Sequence, residues 1–122
     1  MTDQYKISVV DDDQSVRRSL ESLLKSLGHA VETFSSAESF LSSDAAPKSD
    51  CLILDVRMPG MSGPDLQQEL KRRGLGVPII FITAHCDAEV IALIMRDGAV
   101  DCLLKPFGEQ TLLKAISRAL SG

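Results

Sequence analysis

The side chains best suited to chemistry stand at four points, each at the end of a short apolar run. Asp11-Asp12-Asp13 follows Ile7-Ser8-Val9-Val10, Asp55 follows Cys51-Leu52-Ile53-Leu54, Thr83 follows residues 77–82, and Lys105 follows Cys102-Leu103-Leu104. If the four points meet, several carboxylates, a hydroxyl and an ammonium share one shallow site. Carboxylates that close repel and raise each other's pKa unless a cation lies among them. Hard oxygen donors with room for water suit magnesium better than zinc or copper. Each feature also has a plain structural use. An Asp run after a strand can be a helix cap with solvated charge, and Asp13 is expected to be such a cap. The coincidence of all four at strand ends favours a joint site.

The elements between these points are legible from periodicity. Val16, Leu20, Leu23, Leu24 and Leu27 form one helical stripe, with Arg17, Arg18, Glu21 and Lys25 on the other face and Gly28 as the stop. Residues 30–34 alternate weakly, as a short strand does. Ser35 and Glu38 have capping-box spacing and predict a second helix running to about Ser43. Residues 42–50 read as a loop. Pro59, Gly60 and Gly63 make a turn, and Pro64 suits the first turn of a helix carrying Leu66 and Leu70. Residues 87–97 predict a fourth helix ended by Gly98, and Leu112, Leu113, Ile116 and Leu120 mark a fifth. Strands apolar on both faces, separated by helices, imply a parallel sheet covered on each side. In such a sheet ligands bind at the carboxyl ends of the strands, which is where the chemistry collects.

Composition limits the possibilities further. At 122 residues the chain fits one domain, since domains run to roughly 100–200 residues. Residues 1–122 are therefore expected to form a single unit. A hydrophobic share of 44% and a charged share of 25% belong to a globular domain. The net charge of −4 argues against nucleic-acid binding by this chain itself. The longest apolar stretch is too short for a membrane and holds Pro78, and the N-terminal residues have no apolar stretch of signal-peptide length. Three cysteines without a CxxC pair suit neither a disulfide framework nor a zinc site. Cys51 and Cys102 read as small buried hydrophobes, and a reducing cytoplasmic setting is expected.

Longer stretches around the four points are more specific. Val9-Val10-Asp11-Asp12-Asp13, Leu52-Ile53-Leu54-Asp55-Val56-Arg57-Met58-Pro59-Gly60-Met61-Ser62-Gly63, Ile80-Phe81-Ile82-Thr83-Ala84-His85, and Asp97-Gly98-Ala99-Val100-Asp101 leading into Lys105-Pro106-Phe107 each keep their place relative to the strands. In these pieces the chain resembles the receiver domains of two-component response regulators, most of all the FixJ/NarL-type subgroup. The resemblance implies a flavodoxin-like (βα)5 fold, a doubly wound parallel five-stranded sheet in the order 2-1-3-4-5. It implies that Asp55 accepts a phosphoryl group from a sensor histidine kinase, with Mg2+ as the cofactor. Asp12 would hold the ion directly and Asp11 through water, joined by Asp55 and by the backbone carbonyl of Arg57. Thr83 and Lys105 match the hydroxyl and ammonium that contact the phosphoryl oxygens. The Lys105-Pro106 bond matches one that is cis in the family.

Physical logic agrees with these roles. A carboxylate attacking phosphorus approaches a dianion, so the phosphoryl oxygens need positive charge and hydrogen-bond donors. No base is required if the leaving group is the imidazole of a phosphohistidine. One position departs from the family pattern: three before Lys105, where Phe or Tyr is usual, stands Cys102. It is expected to be largely buried and reduced, and it leaves the usual aromatic switch without its ring. His85, two past Thr83, reads either as an exposed loop residue or as a tuner of phosphoryl lifetime.

The resemblance also implies a partner surface. Val90, Ile91, Leu93, Ile94 and Met95 spread over roughly 200° of the fourth helix. A helix on a sheet needs an apolar stripe of about 100°. The excess, with Val90, Leu93 and Ile94 as candidates, is expected to build a phosphorylation-dependent homodimer face. A dehalogenase-type phosphatase would need a second acid where Arg57 stands, and a flavodoxin-type carrier would need a phosphate loop where the three aspartates stand. FixJ/NarL-type receivers commonly precede a helix-turn-helix domain. The chain is expected to be the front part of a transcriptional regulator, reaching DNA only through a domain not included in it, rather than a stand-alone receiver.

Overall fold

A computed structural model describes residues 4–121; the first three residues of the N-terminal segment read above and Gly122 lie outside the described residues. The elements alternate strictly. They are β1 (Lys6–Val10), α1 (Gln14–Ser26), β2 (Ala30–Phe34), α2 (Ala37–Ser42), β3 (Cys51–Asp55), α3 (Gly63–Arg72), β4 (Ile79–Thr83), α4 (Ala88–Arg96), β5 (Asp101–Leu104) and α5 (Glu109–Ser121). All the strands pair in parallel, in the order β2-β1-β3-β4-β5. This is the doubly wound sheet that the alternation of apolar runs and helical stripes requires.

Neighbouring residues of a strand face opposite sides, so a strand buried on both faces feeds two cores. Leu52, Leu54 and Phe81 pack with Phe40 of α2, Leu66 and Leu70 of α3, and Ile94 of α4. Ile53, Ile80 and Ile82 pack on the other side with Leu20 and Leu24 of α1 and Leu112 and Ile116 of α5. The central strands β3 and β4 are buried along their whole length. Their register places Asp55 beside Ile82, and Thr83 beside Leu104 of β5. The carboxyl ends of the middle strands therefore reach one edge together.

Several boundaries differ from the periodic reading. Ser36, not Ser35, caps α2, taking the Ser39 amide at 3.0 Å, and Glu38 does not close a capping box. The strand expected over residues 77–82 begins at Ile79, because Pro78 has no N–H to give to a ladder. Asp87 is the cap of α4 rather than its first residue. Residues 46–48, expected in a loop, form one turn of 3₁₀ helix. Among the described residues no helix is long and apolar enough to cross a membrane.

Candidate functional site

Asp11 stands one residue past β1 and is fully buried. Its side chain is locked on two sides. The Asp13 amide donates to Oδ1 at 2.9 Å, and Lys105 Nζ donates to Oδ2 at 2.9 Å. Arg17, in the first turns of α1, donates to the Asp11 carbonyl at 2.7 Å. Asp13 caps α1 by accepting from Ser15 N at 2.8 Å, as its position after the strand predicts. Asp12 is exposed. Asp55, at the end of β3, is only 6% exposed. One carboxylate oxygen from each of Asp11, Asp12 and Asp55 lies within 4.8 Å of the others.

Lys105 follows β5 and reaches across the sheet edge. Its Nζ lies 3.6 Å from Asp55 Oδ1 as well as against Asp11. Its amide donates to the Thr83 carbonyl at 2.7 Å, and the Lys105-Pro106 bond is cis. The Thr83 side chain is buried, and its hydroxyl is held by the His85 backbone. Oγ1 accepts from His85 N at 3.1 Å and donates to His85 O at 3.2 Å. The His85 ring itself is exposed. The guanidinium of Arg57 lies 3.7 Å from the Asp87 carboxylate. Gly63 is required by space: a Cβ there would collide with the Asp55 carbonyl oxygen.

The electrostatics follow from this crowding. Burial first, then the charge of Asp11, pushes Asp55 up to about 7, with Lys105 pulling the other way. Burial alone lowers the Lys105 pKa, but the hydrogen bond and charge of Asp11 and the charge of Asp55 carry it upward overall. Three clustered carboxylates with one ammonium leave an excess of negative charge. All their donors are hard oxygens, so the set fits a small divalent ion held by Asp11, Asp12 and Asp55.

Two expectations need correction. Cys102 is half-buried rather than largely buried, because β5 is an edge strand with a neighbour on one side only. Its thiol is pushed up by burial, then by Asp101 and Cys86. Ile94 is fully buried and points into the core, so it cannot belong to a partner surface. Leu93 is exposed at 42% and Val90 is half-buried. Met95, named above among the excess apolar residues of the fourth helix, is 39% exposed, and Leu104, which sequence reading did not single out, is 50% exposed at the end of the edge strand. Sequence reading also assigned Arg17 to a solvent face. Its spacing of six residues from Asp11 was the available signal for a side chain reaching back over the first turn.

Comparison with known proteins agrees with this geometry. The family model described as "Response regulator receiver domain" matches residues 7–117. Nodulation protein W of Bradyrhizobium diazoefficiens is 49% identical over 113 residues, covering 93% of this chain and 50% of that protein. Transcriptional regulatory protein FixJ of Rhizobium meliloti is 40% identical over 119 residues, covering 98% of this chain and 58% of that protein. The chain thus spans about half the length of the curated relatives it matches. The crystal structure of FixJ-N superposes with a TM-score of 0.87 at 40% identity, covering 99% of this chain and 96% of that one. With its parallel sheet in the family's strand order and its acidic cluster at the carboxyl edge, the chain belongs to the receiver domains of two-component response regulators.

Proposed function

We propose that the domain takes a phosphoryl group from the phosphohistidine of a sensor histidine kinase onto Asp55. The observation that carries this reading is the convergence of Lys105 Nζ on two buried carboxylates, 2.9 Å from Asp11 and 3.6 Å from Asp55. An Asp55 oxygen attacks phosphorus, the phosphorus–nitrogen bond to the imidazole breaks, and the imidazole leaves with the bonding pair. Lys105 meets charge on the phosphoryl oxygens, and Thr83 donates a hydrogen bond after leaving the His85 carbonyl. Mg2+, held by Asp11, Asp12, Asp55 and the Arg57 carbonyl, supplies the remaining positive charge when bound. Asp55 is an acceptor, not a turnover catalyst, and the only reactions expected of the domain alone are self-phosphorylation and slow self-dephosphorylation. Incubation with acetyl phosphate and Mg2+, followed by intact mass measurement, should add one phosphate. Rapid continuous release of free phosphate without a labelled protein would count for a phosphatase instead.

A docking place for the kinase is proposed beside Lys105. A groove of about 620 Å³ opens beside Lys105 between α1 and α5, lined by Val16, Leu20, Leu23, Phe107 and Leu112. Its apolar walls suit the flank of a partner helix that brings a phosphohistidine to the edge. A kinase-fed receiver works in the cytoplasm, and the three free cysteines suit that compartment. The relatives named as transcriptional regulators support an output in transcription, through a DNA-binding domain outside this chain.

Output is proposed to run through the face made by α4 and β5. Leu93 and Met95 are exposed on opposite flanks of α4, either side of the buried Ile94, and Leu104 is exposed at the end of β5; large apolar side chains in solvent often mark contact sites. Phosphorylation at Asp55, or a bound phosphoryl mimic, should promote a two-fold dimer there. Placing a charge in that interface by Leu93→Glu should weaken the mimic-dependent dimer roughly tenfold or more. Sedimentation with and without the mimic measures this; a dimer indifferent to Leu93→Glu would remove the face from consideration.

A further inference from the structure

The loop between Asp55 and α3 carries Arg57, whose carbonyl completes the proposed metal set, and its tip is held by a residue far away in sequence. At its base, Gly63 N donates to the Val56 carbonyl at 2.9 Å. At its tip, the Met61 amide donates to Glu38 Oε2 at 2.9 Å, across 23 positions of sequence. Gly60, beside it, has φ of +76°, and a Cβ there would lie 2.6 Å from the same Oε2. Position 60 therefore leaves both the backbone freedom and the space that the carboxylate occupies.

Helix α2 does not need Glu38 for itself. Ser36 caps the helix, and Phe40 and Ala37 supply its buried contacts. The Glu38 side chain is exposed and instead leaves the helix for the loop. Met61 first, and the amide of Glu38 itself next, hold the carboxyl below the usual range, so it is an anion at neutral pH. A carbonyl ligand helps an ion most when its loop is already set, because the ordering cost does not fall on the binding step.

We propose that Glu38 is a positioning residue for the metal site: by holding the Met61 amide it sets the 56–62 loop, and with it the Arg57 carbonyl, in the binding conformation. The proposal rests on the reading that Mg2+ binds beside Asp55. Titration of the unphosphorylated domain with Mg2+, followed by amide chemical shifts, tests both separately. Glu38→Ala should weaken Mg2+ binding about fivefold, while Glu38→Gln, which keeps an acceptor oxygen on the same stem, should stay within about twofold of the wild-type chain. Amide exchange in residues 57–62 should quicken in the Ala variant and not in the Gln variant. A charge acting only at a distance would weaken the Gln variant as much as the Ala variant. That result, or an Ala variant with undiminished affinity, overturns the proposal. A wild-type chain that binds no Mg2+ overturns the reading of the site itself.

Discussion

Asp55→Asn should take up no phosphate from acetyl phosphate or from a phosphorylated kinase, and in metal-free buffer at neutral pH it should be more stable than the wild-type chain. The loss follows from removing the attacking oxygen while keeping the side chain's shape. The gain follows from the pKa. Asp55 moves from 3.8 to about 7 because burial and Asp11 disfavour its charge. Between those values the folded chain keeps a proton that the unfolded chain releases, so wild-type stability falls as pH rises through the window. Above about 7 both states are ionised and the loss is complete. One pKa unit corresponds to about 1.4 kcal/mol, so the rise from 3.8 to about 7 sets a ceiling of about 4 kcal/mol; an Asn variant, which also gives up the Lys105 ion pair, should recover on the order of 2 kcal/mol of it at neutral pH. That amounts to several degrees in Tm, and the fall with pH should flatten. Thermal melts from pH 4 to 8 with and without Mg2+ read this directly. Stoichiometric labelling of the Asn variant would sink the assignment of Asp55 as acceptor, and a variant less stable than wild type at neutral pH would sink the reading of its raised pKa.

Asp12→Ala should lower the rate of labelling by a small phosphodonor by roughly a hundredfold or more, as removal of a charge-stabilising group does. Asp12 is exposed, so its loss costs little packing. Its charge also raises Asp55, so the metal-free variant should melt no lower than wild type at neutral pH. Wild-type protein should gain stability on addition of Mg2+ through mass action, and the variant should lose most of that gain. A chelator should reduce wild-type labelling to the level of the variant. Labelling that survives both the chelator and the substitution would exclude a metal role. A variant that labels slowly but keeps the full Mg2+ stabilisation would move the ion away from Asp12.

How much was legible differs between the site and its surroundings. Asp11, Asp55 and Thr83 could be read from the sequence because a parallel strand buried on both faces must be apolar until it emerges, and Lys105 because it follows the apolar run Cys102-Leu103-Leu104 even though that strand lies at the sheet edge. The first polar residue after such a run marks the sheet edge, and four such ends in a doubly wound fold share one edge. Asp13 as a cap and Gly28 as a stop were equally local. Other features depended on which surface met which. The apolar residues of α4 cover too wide an arc for periodicity to choose a face, and only docking on the sheet put Ile94 inward and left Leu93 and Met95 outside. Cys102 lies in an apolar run, yet its strand is at the edge of the sheet, and the thiol stays half-buried. Glu38 had the spacing of a capping residue, but the amide of Met61, brought close by the packing of α2 against the sheet, captured its carboxylate. The raised pKa of Asp55 likewise needed the burial and the Asp11 contact that the tertiary fold creates. Backbone period and strand-end polarity are properties of neighbours along the chain. Exposure, pairing and charge coupling are set by neighbours in space, and these were decided only when the helices closed over the sheet.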